Sequence, residues 1–147
     1  MPTVRVTRNI HAPVEEVFDL FTDHANYEQF RGIRASKLVR EGEPEPNGVG
    51  AFRVIDVGPI RFEEEITAFE RPSRMDYVIR KINIPLEHDG GTMRFESVDG
   101  GTRVEWISTF RITTRGIGGI LGGAGVPLVR LDFIGMLRQA EQRLSPA

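Results

Sequence analysis

Arg53 and Glu64 are the two residues whose types and spacing best suit chemistry. Gly58-Pro59 reads as a tight turn, which fixes a register between 49–57 and 60–69. Across it Arg53 faces Glu64, Val57 faces Ile60, Ile55 faces Phe62 and Ala51 faces Ile66, while Asp56 meets Arg61 and Phe52 meets Glu65 on the other side. An arginine and a glutamate therefore stand opposite each other on an otherwise apolar face. Buried charges are costly unless paired, so a purely structural ion pair is one reading. In the other, Arg53 grips a carboxylate or enolate oxygen while Glu64 orients it or acts as a general base. Tyr77 and Ser108 could add hydrogen bonds, and Arg130 could close the site from the last helix. Both readings stay open at this point.

Two further turns extend the same face. Glu70-Arg-Pro-Ser73 sets Met75 against Ala68, Tyr77 against Ile66 and Ile79 against Glu64. Asp99-Gly100 is a typical hairpin dipeptide and sets Phe95 against Val104, Met93 against Trp106 and Gly91 against Ser108. The face thus collects Ile55, Phe62, Ile66, Met75, Tyr77, Met93, Phe95, Trp106 and Phe110. Pro85 and Gly90-Gly91 suggest an edge interruption or a bulge that would invert the alternation, leaving the direction of His88 open.

A sheet with such a face needs a large apolar partner. The stretch 126–144 supplies one: at 100° per residue Val126, Val129, Phe133, Met136, Leu137, Ala140 and Leu144 share an arc. Asp132, Arg138, Gln139, Gln142 and Arg143 lie opposite as a wet face, and Arg130 sits at the edge of the apolar arc. Leu128 and Leu131 fall on the polar side, to pack against the preceding glycine-rich segment or a second subunit. Burying each apolar side chain is worth about 1.5–3 kcal/mol as an upper bound. Near the amino terminus, Thr3 to Ile10 reads as a strand. Pro13 opens a short helix carrying Val14, Val17, Phe18 and Phe21, and Asp23 can cap a second one carrying Tyr27 and Phe30. The acidic, proline-rich 41–48 reads as a solvated connection. The glycine-rich segment 116–125 lacks the lysine and hydroxyl ending of a phosphate loop and reads as a mobile lead-in to the last helix.

Composition narrows the function classes. The 147 residues carry a net charge of −2, with 39% hydrophobic and 27% charged, so the chain fits one domain over 1–147 and lacks the basic excess of a nucleic-acid binder. With no cysteine there is no disulfide, thiolate nucleophile or thiolate-bound metal. His11, His24 and His88 lack ligand spacing and read as surface histidines; no metal or other cofactor is implied. No serine has an evident histidine and acid arranged around it. No apolar run is long enough for membrane insertion and no signal peptide is evident, which makes the cytoplasm the expected location.

The order strand, two short helices, six strands and long carboxy-terminal helix resembles the START-like (SRPBCC) superfamily. The resemblance is carried by Ile10-His-Ala-Pro-Val-Glu-Glu-Val-Phe-Asp-Leu-Phe-Thr-Asp23, by Glu65-Ile-Thr-Ala-Phe-Glu-Arg-Pro-Ser-Arg-Met75 and by Gly100-Gly-Thr-Arg-Val-Glu-Trp106. Within it the chain looks most like the polyketide cyclase/dehydrase and lipid-transport group. The resemblance implies an α+β helix-grip fold: a curved antiparallel sheet of about seven strands in β-α-α-β6-α order, wrapped around the last helix and an apolar cavity. It implies no catalytic residue, and a fold used by carriers, sensors and cyclases does not choose among them.

Three functions follow as expectations. The first is binding, as carrier or sensor, of a hydrophobic small molecule such as a lipid, quinone or polyketide with one acidic or carbonyl head. Its contacts would be Arg53, Ile55, Phe62, Glu64, Ile66, Tyr77, Met93, Phe95, Trp106, Ser108, Arg130 and Phe133. The second is a cyclase or aromatase-like enzyme in which Glu64, Arg53 and Tyr77 promote enolisation, cyclisation or dehydration. The third is a non-catalytic interaction module with a filled pocket, homodimeric through Leu128 and Leu131.

Overall fold

A computed structural model describes residues 2–113 and 118–145. Seven strands form one antiparallel sheet in the order β1-β7-β6-β5-β4-β3-β2. They are β1 (Thr3–Ile10), β2 (Ala35–Arg40), β3 (Phe52–Asp56), β4 (Arg61–Glu70), β5 (Arg74–Ile82), β6 (Leu86–Val98) and β7 (Gly101–Ile112). Helix α1 (Val14–Thr22) and a 3-10 helix, His24–Gln29, separate β1 from β2, and helix α2 (Gly118–Leu144) closes the chain. No helix among the described residues is long and apolar enough to cross a membrane.

Turn chemistry sets most of the register. The β3–β4 pairs Phe52/Glu65, Arg53/Glu64, Ile55/Phe62 and Asp56/Arg61 stand as expected around Gly58, whose φ of 102° suits glycine. The β6–β7 pairs Phe95/Val104, Met93/Trp106 and Gly91/Ser108 also stand as read. In β4–β5, Tyr77 meets Ile66 and Ile79 meets Glu64, but Met75 stands opposite Phe69 rather than Ala68. A bulge between Ile66 and Ala68 takes up the extra residue there.

The concave face is divided. At one end α1 presents Val17, Phe18 and Phe21, all fully buried, and Phe18 meets Phe69 and Phe95 edge-on with centroids 5.2 and 5.1 Å apart. Such edge-on aromatic contacts add to the gain from burial. At the other end α2 packs on β1, β7 and α1, with Phe133, Leu137 and Ala140 buried and Val126, Val129, Met136 and Leu144 beside them. The apolar arc of the last helix is thus as read, but the helix begins at Gly118, not Val126. Glycine costs a helix only about 1 kcal/mol per residue, and extending an established helix costs far less than starting one. The glycine-rich lead-in is therefore helical from Gly118 on, while 116–117 lie outside the described residues.

Two other expectations change. The connection 41–48 folds back on the body: Glu43 bridges to Val49, Glu45 pairs with Arg71 at 2.6 Å, and Arg71 also pairs with Asp19 of α1 while its guanidinium lies 5.0 Å from the Phe18 ring. Nor is the polar side of α2 simply wet. Gln139 accepts from Arg31 N–H at 2.7 Å and donates to Arg31 O at 3.3 Å, and Arg143 donates to Gln29 O. These side chains satisfy backbone groups at the end of the 3-10 helix and just after it, tying that segment to α2.

Candidate functional site

Two cross-strand rows build the site. Arg53, Glu64 and Ile79 follow one another across β3, β4 and β5, and Ile66, Tyr77, Gly91 and Ser108 across β4 to β7. Directly opposed residues share a face, so both rows point to the concave side.

Arg53 and Glu64 are 2% and 4% exposed, which makes their pairing obligatory. Arg53 Nε and Nη2 both lie 2.8 Å from Glu64 Oε1. Arg53 Nη1 donates to His24 Nδ1 at 3.1 Å, so the imidazole proton sits on Nε2, which donates to Asn47 O at 2.9 Å. Burial, reinforced by the Arg53 charge, holds His24 down to about 3, so it stays neutral. The Tyr27 ring covers the guanidinium at 4.6 Å. The Glu64 carboxyl is pushed up by burial and pulled back in part by Arg53. Its second oxygen, Oε2, takes no hydrogen bond from the described residues.

The second row holds the hydroxyls. A Cβ on Gly91 would stand 2.2 Å from Tyr77 Cζ and 2.5 Å from its oxygen, so only glycine lets the ring lie across β6. Trp106 Nε1 donates to Tyr77 Oη at 2.7 Å, and the Trp106 indole stacks on Phe133 of α2, centroids 3.9 Å apart and 6° from parallel. Burial, then the nearby Glu64 charge, pushes the Tyr77 phenol up. His88 turns inward: its ring stacks on Tyr77 at 5.6 Å, Nδ1 accepts from Ile79 N–H at 3.0 Å, and Nε2 lies 2.8 Å from Ser108 Oγ. A bulge between His88 and Gly90 inverts the alternation and directs it there. Burial holds the His88 ring down to about 4.

Between these rows and α2 lies a cavity of about 520 Å³. Arg53, Ile55, Phe62, Glu64, Tyr77, Trp106, Ser108 and Phe133 line it, as expected from the sequence, together with Phe110 and Met136. Four expected residues do not. Ile66, Met93 and Phe95 belong to the packed core, where Phe95 meets Phe18 and Phe21 of α1. Arg130 is exposed and donates to Arg5 O on β1, an edge strand whose outer carbonyls need partners.

Sequence reasoning missed His24 and His88, which belong to the polar cluster rather than the surface, His24 fully buried and His88 half-buried. It also missed Tyr27, Gly91 and Gln139. Gly91 was within reach, because the hairpin register sets it beside Ser108 and one more strand sets it beside Tyr77. Isolated histidines carry no periodic signal. Asp132 and the largely exposed Leu131, both assigned to the polar side of α2, border the cavity, and burial pushes the Asp132 carboxyl up. Among the described residues no cluster of three or more His, Asp or Glu could hold a metal ion. The arrangement offers two hydroxyls and one free oxygen of Glu64 at its buried end, the Asp132 carboxyl at its border, and a large apolar wall.

A family model described as polyketide cyclase / dehydrase and lipid transport matches residues 1–145. No curated protein matches. Among solved structures, TTHA0849 from Thermus thermophilus superposes with a TM-score of 0.76 at 22% identity over 97% of both chains. A START superfamily protein from Mycobacterium smegmatis gives 0.75 at 12% identity, over 97% of this chain and 99% of that one. DynU16, from the dynemicin biosynthetic locus, gives 0.70 at 19% identity; 97% of this chain matches 46% of it. These likenesses concern the fold, which is the START-like helix-grip fold of the α+β class.

Proposed function

The chain belongs to the polyketide cyclase / dehydrase and lipid transport family, and on that premise we propose that it binds an apolar small molecule, as carrier or sensor, in the cavity between sheet and α2. One observation carries this reading: a space of about 520 Å³ is lined mainly by aliphatic and aromatic side chains, with a few buried polar groups gathered in it. Ligand sites in proteins have that size and that balance of surfaces. The binding side chains are then Arg53, Ile55, Phe62, Glu64, Tyr77, Trp106, Ser108 and Phe133, acting in one domain over 1–147. An interaction module with a filled pocket fits such a space poorly.

A second reading is favoured by Glu64. Its carboxyl is pushed up by burial and its Oε2 is unengaged among the described residues, as suits a general base in a cyclase-like reaction with Arg53 and Tyr77 beside it. Native mass spectrometry of protein purified from its own host, followed by organic extraction, tests the first reading. A stoichiometric apolar molecule is expected. Returned to fresh protein, it should come back unchanged for a carrier. Conversion that disappears in Glu64→Gln would replace the carrier by the enzyme, and protein that neither arrives with nor takes up apolar molecules would overturn both.

A further inference from the structure

Tyr77 and Ser108 are each 4% exposed and line the cavity, and each already accepts a hydrogen bond from behind. Ile79 N–H occupies His88 Nδ1, so the neutral ring carries its hydrogen on Nε2 and donates it to Ser108 Oγ at 2.8 Å. The Trp106 indole can only donate, and it donates to Tyr77 Oη. Both oxygens therefore keep their own hydrogens as donors. The Ser108 hydroxyl is close enough to the phenol to pair with it, and beyond that pairing neither hydrogen has an acceptor in a hydrogen bond among the described residues. Should the serine turn to the phenol, the phenol hydrogen still has to be placed. A buried donor left unpaired is costly, and the cavity is where an acceptor can come from.

The surrounding charges decide what kind of acceptor. The Arg53 guanidinium is taken up by Glu64 Oε1 and His24, so it is not a free cation. Glu64 and Asp132 line the same space, and their carboxylates would repel another. Arg31 also borders the cavity but is exposed at its rim.

We propose that the buried pole formed by Tyr77 and Ser108 receives an uncharged carbonyl oxygen, so the ligand class is an apolar ketone, quinone or ester, not a carboxylate or a bare hydrocarbon. This rests on the reading of the cavity as an apolar ligand site and narrows it.

Three probes that share one rigid tricyclic skeleton test it: fluorene, 9-fluorenone and fluorene-9-carboxylate, titrated against the full chain by calorimetry. One net hydrogen bond of about 1 kcal/mol corresponds to roughly fivefold in affinity. Fluorenone is expected to bind about fivefold or more tighter than fluorene, with the carboxylate weakest. The carbonyl stretch of bound fluorenone should fall below its value in alkane. In Tyr77→Phe/Ser108→Ala the ratio of ketone to fluorene affinity should fall to about one, because the freed Trp106 and His88 N–H groups are set back behind the lost oxygens. Equal binding of ketone and hydrocarbon by the unaltered protein, with an alkane-like stretch, would overturn the carbonyl pole and leave the apolar site standing. Tightest binding of the carboxylate would overturn it through the charge argument. Failure of all three probes to bind would overturn the apolar site and the pole together. The infrared measurement needs no variant, so a double variant that fails to fold leaves the decision intact.

Discussion

Replacing Gly91 by alanine puts a methyl group where the Tyr77 ring now lies. The new Cβ would stand 2.2 Å from Cζ and 2.6 Å from Cε1, distances no packed pair sustains, so the ring has to leave. Two costs follow. Trp106 Nε1 loses its acceptor in a buried setting, at about 1–3 kcal/mol. Repacking around an overfilled site adds about 1–3 kcal/mol. Gly91→Ala is therefore expected to lose about 2–6 kcal/mol, much of the ~5–15 kcal/mol that holds a domain of this kind together. Urea unfolding is the assay, followed through Trp106, the single tryptophan of the chain. The midpoint should fall with little change in slope. The same substitution in a Tyr77→Ala background should cost much less, because the clashing ring is gone. A loss under about 0.5 kcal/mol, or an equal loss in both backgrounds, would refute the placement of Tyr77 over Gly91.

Two other expectations concern the polar cluster. His24 and His88 are held from 6.5 down to about 3 and about 4 by burial. The unfolded chain protonates both as pH drops below about 6.5 whereas the folded one does not, so stability should decline from neutral pH towards pH 4, by at most ~1.4 kcal/mol per pH unit per histidine. The partly exposed His88 counts for less, and Glu64, whose pKa is raised by folding, opposes the trend above its usual 4.5. Urea midpoints at pH 7.5, 6 and 5 measure this; His24→Asn, which keeps an acceptor for Arg53, should flatten the profile, and a flat profile in the unaltered protein would contradict a buried neutral His24. Arg53→Met should cost about 3–5 kcal/mol by stranding Glu64, while Arg53→Met/Glu64→Leu should cost clearly less than the two single changes together. Additive losses in that cycle would show that the pair is not coupled.

Which parts of this molecule could be read from its sequence follows from how local their causes are. The Gly58-Pro59 and Asp99-Gly100 turns dictate their hairpins, so Arg53 and Glu64 could be set face to face without a structure. The two bulges are less legible, since an extra residue leaves the same apolar pattern. That is why the pattern alone sets Met75 one residue out and leaves His88 without a direction. Met93, Phe95 and Ile66 read as cavity residues because they share its face of the sheet. Sheet alternation does not say which part of a face a helix covers, and Phe95 lies under α1. Arg130 shows the same limit: a helical wheel gives its angle, but the unpaired carbonyl of Arg5 that draws it belongs to a strand 125 residues earlier.

The divided concave face bears on how such a chain can change over generations. Phe18, Phe21, Met75, Met93 and Phe95 belong to the packed core, and almost any replacement there leaves a void or a clash. Ile55, Phe62, Phe110 and Met136 border open space, where a larger or smaller side chain reshapes the cavity with less disturbance to the packing. Substitutions that alter what fits inside are thereby separated from those that threaten folding. A lineage can drift through new ligands on one end of the sheet while selection holds the other nearly still.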